Sequence, residues 1–238
     1  SREALREINI RGIEFYRDFV REYARPDTPM LVGGVIGPRG DAYNVGRVPD
    51  AAESEDYHAE QILTFRDAGA DQVTAMTFSS VQEAIGLARA AKSAGMPVVI
   101  SFLVARGGRL KGGETMEQAI ALVDSATGHA PEYYMINCTH PTEFEPGLTP
   151  GDWTARLGGF MPNAVAMETL DLCKLGHLED GDPGELGAQM GELAGRFPHV
   201  NVWGGCCGTD GRHIGEISRQ VSAVRSGVGL EAGTRSRQ

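Results

Sequence analysis

Residues 200–209, with the sequence VNVWGGCCGT, place two adjacent cysteines directly after a short apolar stretch that is typical of a buried β-strand. Residues 133–138, with the sequence YYMINC, likewise end an apolar stretch in a cysteine. The carboxyl ends of parallel strands meet at one edge of an α/β fold, and that edge carries the functional groups. The two stretches therefore predict that Cys138, Cys206 and Cys207 lie at the carboxyl edge of a parallel sheet.

The chain on both sides of these stretches alternates between strand-like and helix-like patterns. Short apolar runs predict six strands, at residues 30–36, 72–77, 97–104, 133–137, 157–161 and 200–203. Apolar side chains three to five positions apart predict helices at residues 1–23, 50–68 and 210–224, and two more that begin after Ser80 and Thr115. This regular alternation implies a parallel sheet with right-handed crossovers.

Three of the predicted helices begin with a recognisable start signal. A capping residue is followed three positions later by Glu or Gln, so that each side chain can bond to the other residue's backbone N–H. The pairs are Asp50 with Glu53, Ser80 with Glu83, and Thr115 with Gln118. We interpret Ser80 with Glu83 as a capping box, and the other two pairs as helix starts.

Six strands that follow an initial helix leave two architectures open. A doubly wound open sheet can have six strands, and a (β/α)8 TIM barrel whose first two strands are absent shows the same pattern. The hydrophobic pattern alone does not choose between them. No change in composition divides residues 1–226, which we interpret as one domain, and residues 227–238 form a polar tail.

The composition excludes several classes of protein. With 41% hydrophobic and 23% charged residues, the chain has the make-up of a folded globular domain. A net charge of -10 and the lack of a basic block argue against a nucleic acid partner. No apolar run approaches the roughly 18 residues of a membrane helix, so no membrane contact is expected. The four cysteines are too few for a disulfide framework, so we expect reduced thiols and a cytoplasmic chain.

Three thiolates at strand ends would form a soft donor set that suits zinc and leaves one tetrahedral position open, as in catalytic sites. Glycines at 204, 205 and 208 let the backbone bend so that two consecutive cysteines can face one ion. Such a centre carries net negative charge, so it is a poor Lewis acid and instead suits binding a further thiol as its thiolate. The alternative is that Cys138 and Cys206 are buried core thiols and Cys207 is incidental, and by composition it has equal weight.

These residues resemble the homocysteine S-methyltransferase family. The resemblance rests on Asn137-Cys138 at a strand end and on residues 204–209, GGCCGT. Further matches are residues 33–41, Tyr57-His58, Pro162-Asn163 and His213-Ile214, so that the resemblance extends from about residue 31 to 217. It implies a barrel whose zinc cysteines follow strands six and eight. Here they follow the fourth and sixth predicted strands, which implies a barrel that lacks its first two strands.

The resemblance also implies zinc as cofactor, a small-molecule thiol and a methyl donor as partners, and a set of substrate contacts. Those contacts are Asn137, Met76, Thr77, Gly205 and Asn163. The chain departs from the family at Met76, where the family has a Glu that holds the substrate's amino group. The family's Asp-Gly-Gly element, which shapes the homocysteine pocket, has no match in this sequence.

We therefore interpret the chain as a zinc-dependent S-methyltransferase in which homocysteine, or a related thiol, attacks the methyl group of an onium donor. Donors in the family include S-methylmethionine, S-adenosylmethionine and betaine, and the sequence does not choose among them. Two alternatives stay open: a non-catalytic zinc-binding partner subunit of a methyltransferase, and an alkyltransferase that acts on a different thiol. Whether the chain forms a homo-oligomer also stays open.

The remaining polar residues of interest are interpreted more simply. We expect His58 and His213 to be structural histidines within helices, and His140 to be a loop residue near the pocket. The loop after Pro38 is expected at the mouth of the barrel, with Asp41, Tyr43 and Asn44.

Overall fold

The computed structural model of the chain describes residues 2–43, 46–167, 171 and 174–227. Its strands form one six-stranded sheet in which all neighbouring strands are parallel. The strands are β1 (Gly33–Ile36), β2 (Gln72–Phe78), β3 (Val98–Phe102), β4 (Pro131–Asn137), β5 (Leu157–Met161) and β6 (Val202–Trp203). All six lie where the sequence predicts a strand. The predicted tail lies, apart from Gly227, outside the described residues.

The order of the strands decides between the two architectures that the hydrophobic pattern left open. Neighbours in the sheet follow chain order, from β1 at one edge to β6 at the other. A doubly wound sheet reverses direction at a switch point, so its order is not sequential. Sequential parallel order is the order of a (β/α)8 barrel, and here it covers six strands. The predicted barrel that lacks its first two strands is confirmed.

One helix precedes β1, the other helices follow strands, and together they cover one face of the sheet. They are α1 (Arg2–Tyr23), α2 (Ala51–Asp67), α3 (Val81–Ala94), α4 (Met116–Thr127), α5 (Pro141–Phe144), α6 (Pro183–Arg196) and α7 (Gly211–Arg225). Adjacent helices pack side by side, α1 on α2, α2 on α3, α3 on α4 and α6 on α7. None of the helices in the described ranges is both long and apolar enough to cross a lipid bilayer.

One helix of the barrel layer, α6, is absent from the sequence predictions. Its start carries clear signals, because Asp182 caps the N–H groups of Gly184 and Glu185 and Pro183 occupies the first helical position. Leu186, Met190 and Leu193 are all buried at helical spacing. The helix supplies the crossover between β5 and β6 that a parallel connection requires.

All three predicted helix starts are correct, with Asp50, Ser80 and Thr115 as the capping residues. Asp50 with Glu53 and Thr115 with Gln118 form reciprocal boxes. At α3 the Ser80 hydroxyl accepts from the backbone N–H of Glu83, but the Glu83 carboxylate does not return to Ser80. It turns inward, where it lies 3.1 Å from His58 Nε2 and accepts from the backbone N–H of Arg39. The reciprocal box predicted at Ser80 is therefore wrong.

The close packing of α2 on α3 depends on a glycine. A Cβ atom at Gly86 would overlap the backbone of Ala51 and Glu55 in α2 and the side chain of Ser54. Glycine lets the two helices approach at this point, and the approach brings the buried His58 of α2 beside Glu83 of α3.

Candidate metal centre

The three cysteines come together at the carboxyl edge of the sheet, as the strand-end pattern predicts. Cys138 directly follows β4, and Cys206 and Cys207 follow β6 after two glycines. All three sulfur atoms lie within 4.8 Å of one another. Cys138 is buried and the other two are partly buried. Within the described residues they are the one cluster of three or more potential metal-ligating side chains.

In this structure Cys138 and Cys206 are joined by a disulfide, with their Cα atoms 5.5 Å apart, and Cys207 takes no part in it. Metal ligation needs the thiolate form of cysteine. The disulfide and a metal ion bound by all three sulfurs therefore exclude each other, and metal binding belongs to the reduced chain.

The arrangement of sulfurs fits zinc. Four ligands at about 2.3 Å from a tetrahedral zinc ion stand about 3.8 Å from one another. The three sulfurs already lie within 4.8 Å of one another, but the Cys138 and Cys206 sulfurs must be reduced and move apart from bonding distance to reach those positions. Because three soft donors leave the fourth position of the tetrahedron to another ligand, the set has the pattern of a catalytic site.

Cys138 sits on an unusual backbone conformation at the end of β4. Its φ of 57° lies in the left-handed region, which few residues other than glycine adopt. The strand register places Asn137 beside Met161 of β5, and the N–H of Cys138 donates to the Met161 carbonyl at 3.1 Å. The Cys138 carbonyl accepts from Asn163 Nδ2 at 2.9 Å. Two bonds to the β5 segment therefore hold the conformation.

Asn163 connects the two cysteine segments. Its Nδ2 donates to the Cys138 carbonyl, and its Oδ1 accepts from the Cys207 N–H at 3.2 Å. The side chain is 1% exposed. Sequence analysis expects a substrate contact at this residue, whereas in this structure both ends of its amide are engaged by backbone groups of the cysteine segments.

The loop that carries Cys206 and Cys207 is also fixed to the end of β5. The Cys206 N–H donates to the Pro162 carbonyl at 2.7 Å, and the Ala164 N–H donates to the Cys207 carbonyl at 2.9 Å. Gly208 has a φ of 80° and lies against the Glu179 carbonyl, where a Cβ atom would not fit. Gly205 leaves space for the Thr209 side chain in the same way. The glycines around the cysteine pair therefore serve both backbone shape and close packing.

A second buried amide, Asn137, joins the cysteine strand to β2. Its Oδ1 accepts from the Thr77 N–H at 3.0 Å and from Ser101 Oγ at 2.6 Å, and its Nδ2 donates to Thr77 Oγ1 at 2.9 Å. Thr77 has a φ of 66°, which is a strained conformation for a β-branched residue. Asn137 therefore holds the turn at the end of β2 beside the cysteine cluster.

Met76 immediately precedes this turn. It alternates along β2 with the buried residues Val73 and Ala75, so its side chain belongs to the opposite face, the one away from the helices. Its side chain is only partly buried. The structure thus places Met76 next to the Thr77 turn that Asn137 secures.

Tyr43 reaches the centre from the loop after β1. Its hydroxyl donates to Cys138 Sγ, with the two atoms 3.7 Å apart. The same residue lines a cleft of about 540 Å³ together with Ser79, Ser80 and Lys111. This position is in keeping with the expectation that the loop lies at the mouth of the barrel. Asn44 of the same loop lies outside the described residues.

Three histidines, His58, His140 and His213, make structural contacts. His213 is fully buried, its Nδ1 accepts from the Asp210 N–H at 3.1 Å and its Nε2 donates to the Asp180 carbonyl at 2.7 Å. His58 pairs with Glu83. His140 caps the short helix α5 rather than ending in an open loop, and burial lowers the pKa of its ring.

Comparisons with known proteins find similar sequences and a similar fold. The sequence profile described as "Homocysteine S-methyltransferase" matches residues 1–221. Methionine synthase of Mycobacterium leprae is 27% identical over 234 residues, and that of Mycobacterium tuberculosis is 26% identical over 235 residues. These matches cover 95% and 94% of this chain, but only 19% of either relative. The chain thus spans about a fifth of the length of these relatives.

Solved structures of the homocysteine methyltransferase MmuM from Escherichia coli share the fold at 18% sequence identity. The apo form superimposes with a TM-score of 0.65 over 92% of this chain and 76% of that one. The oxidized form gives 0.69 over 90% and 70%, and the metallated form 0.62 over 93% and 70%.

Proposed function

The chain belongs to the homocysteine S-methyltransferase family, and from that premise we propose that it transfers a methyl group to the thiol of homocysteine at a zinc ion. The ligands of that ion are Cys138, Cys206 and Cys207. The observation that carries the proposal is the convergence of their three sulfur atoms within 4.8 Å at the carboxyl edge of the sheet.

Zinc held by three thiolates would bind the substrate thiol as its thiolate and keep that sulfur nucleophilic. A free thiol with a pKa near 8.5 is only a few per cent ionised at pH 7, so coordination raises the reactive fraction more than tenfold. The substrate sulfur would attack the donor's methyl carbon, and the bond from that carbon to the onium atom would break with its electron pair going to the leaving group. The donor leaves as a neutral molecule, so the reaction needs no protein group as general acid.

The residues of the chain act mainly by positioning. Asn163 holds the Cys138 and Cys207 segments in fixed relation, which supports a preformed ligand set. Asn137 fixes the Thr77 turn beside Cys138, and with it the position of Met76. We propose that this turn forms the wall against which the substrate's amino end lies.

A related function is favoured by one specific observation. A methionine stands where the resemblance predicts a glutamate for the substrate's ammonium group, so the wall at Met76 is apolar. This favours a thiol with less charge at that end, and alkyl transfer to such a thiol is the second candidate function. S-methylmethionine, S-adenosylmethionine and betaine are the donor candidates for either function.

Two measurements test the proposal. Metal analysis of the reduced chain should give about one zinc per chain, and Cys207→Ala should lose most of it. Cys173→Ala is the matched control, since the fourth cysteine lies outside the proposed ligand set, and it should keep its zinc. Full retention of zinc by Cys207→Ala would overturn the ligand set.

The zinc-loaded chain is then incubated with homocysteine and each onium donor in turn, and methionine is detected by mass spectrometry. Methionine formation with at least one donor supports the proposed activity. Zinc binding without methyl transfer to any thiol tested would instead support the alternative of a zinc-binding partner subunit.

A further inference from the structure

A centre that binds a substrate thiolate through three cysteines presents several sulfur nucleophiles to the methyl donor. If a ligand sulfur attacks, a bond forms between Sγ and the methyl carbon, and the bond from that carbon to the donor atom breaks. The electron pair goes to the leaving group. The product is S-methylcysteine, a neutral thioether, which binds zinc weakly and would disable the site.

Cys138 has a specific neighbour that bears on this problem. The Tyr43 hydroxyl donates to Cys138 Sγ at 3.7 Å. The Tyr43 backbone is fixed on both sides, because its N–H donates to Asp41 Oδ1 at 2.8 Å and its carbonyl accepts from Lys111 Nζ. The side chain therefore approaches the sulfur from an anchored loop.

Tyr43 also lines the cleft of about 540 Å³ at the carboxyl edge of the sheet. The same side chain thus contacts the buried sulfur and forms part of a wall that small molecules can reach. A hydrogen bond to a thiolate occupies one of its lone pairs and stabilises its negative charge, which lowers its reactivity toward carbon electrophiles.

We propose that Tyr43 protects Cys138 from methylation, so that the methyl group goes to the substrate sulfur and not to the protein. Because the Tyr43 hydroxyl donates to Cys138 Sγ, we expect the effect to be largest at Cys138. This inference rests on the proposed function, since it concerns the reduced, zinc-bound form of the cysteine cluster.

The experiment exposes zinc-loaded, reduced protein to methyl iodide in the absence of a thiol substrate. Peptide mass spectrometry follows the gain of a methyl group at each cysteine separately, and zinc release is measured in parallel. In Tyr43→Phe the methylation rate of Cys138 should rise about tenfold, the factor expected for loss of a hydrogen bond to a charged group. The rates at Cys206 and Cys207 should stay at the wild-type value.

Tyr133→Phe is the matched control, because it removes a tyrosine hydroxyl from β4, the strand that Cys138 follows, near the end away from Cys138. It should leave the rate at Cys138 unchanged. Lys111→Met removes an anchor of the Tyr43 loop and keeps the hydroxyl, so it should give a smaller rise confined to Cys138. This variant tests the idea independently if Tyr43→Phe folds poorly.

Zinc analysis before alkylation separates the two proposals. A wild-type chain without zinc would overturn the proposed function and this inference with it. If zinc is bound and Cys138 reacts at the wild-type rate in Tyr43→Phe, only the inference is overturned. An equal rise at all three cysteines would also overturn it, because it would mean a general opening of the site.

Discussion

At the scale of single residues, the proposed metal centre depends on side chains outside the proposed ligand set. Asn163 is the clearest case, because one amide bridges the backbones of Cys138 and Cys207. Residues that orient metal ligands commonly change metal affinity by about 10- to 100-fold when they are replaced. The two cysteine segments come from different strand ends, so their relative position is what such a bridge controls.

We therefore expect Asn163→Ala to weaken zinc binding by about 10- to 100-fold, measured by competition with a chromophoric chelator. Asn201→Ala is the control, since Asn201 is an exposed asparagine in the segment before β6. It should keep wild-type affinity. Equal zinc affinity in Asn163→Ala and Asn201→Ala would show that the bridge has no part in holding the ligands.

Met76 gives a second prediction at this scale, on substrate choice. A carboxylate at this position would pair with the ammonium group of homocysteine, and hydrogen bonds to charged groups contribute about 1.5–3 kcal/mol. Met76→Glu should therefore improve turnover of homocysteine at low concentration by roughly ten- to a hundredfold. It should lower turnover of the des-amino analogue of the same length, which the apolar wall favours.

Met76→Gln is the control for this prediction, because glutamine is polar and has a size similar to that of glutamate but carries no charge. It should leave the preference between the two thiols close to that of the wild type. A wild type that strongly prefers homocysteine, together with a Met76→Glu variant that gains nothing, would contradict the assignment of Met76 to the substrate wall.

At the scale of elements, Glu83 shows how tertiary contacts replace a local helix signal. Glu83 is 4% exposed, and its carboxylate joins three elements, through His58 of α2, its own helix α3 and the backbone N–H of Arg39 after β1. Leaving buried hydrogen-bonding groups without a partner costs about 1–3 kcal/mol.

We expect Glu83→Ala to lower the free energy of unfolding by about 1–3 kcal/mol in urea titrations. Glu117→Ala is the matched control, since Glu117 is an acidic residue in the first turn of the next helix, α4, and is exposed. Its loss should cost a few tenths of a kcal/mol. If both variants are destabilised equally, the carboxylate acts only on the helix start.

The contrast between Glu83 and the strands shows which features could be predicted from the sequence. The strands and the clustering of Cys138, Cys206 and Cys207 follow from apolar runs and strand direction, both of which are local patterns. The inward turn of Glu83 depends on His58, which is 25 positions away. Sequence spacing says nothing about such a contact.

The conformations of Thr77 and Cys138 could not be predicted for a related reason. Neither residue type favours a positive φ, and each is held there by contacts from another strand segment. The helix α6 is different, because Asp182, Pro183 and the buried residues at helical spacing were visible in the sequence. That helix could have been predicted from local pattern alone.

At the scale of the whole molecule, the sheet of the described residues ends in an open edge at β1, which there pairs with β2 alone. Leu31 and Val35 are 71% and 60% exposed beside this edge. Phe15 and Phe19 of α1 are also exposed, and they line the same apolar groove as Leu31 and Val35. Exposed strand edges with apolar flanks pair readily with other chains.

We expect this face to be covered in the working protein by further βα units, in the same chain or from a partner. The 238-residue chain alone should therefore self-associate at micromolar concentration, measured by light scattering after size exclusion. Leu31→Lys places a charge in the groove and should reduce the association. Leu178→Lys is the control, since Leu178 is 68% exposed and lies outside the groove. A monomeric wild type would contradict a contact role for this face. Equal effects of the two substitutions would also contradict it, because a lysine inside the groove would then matter no more than one outside it.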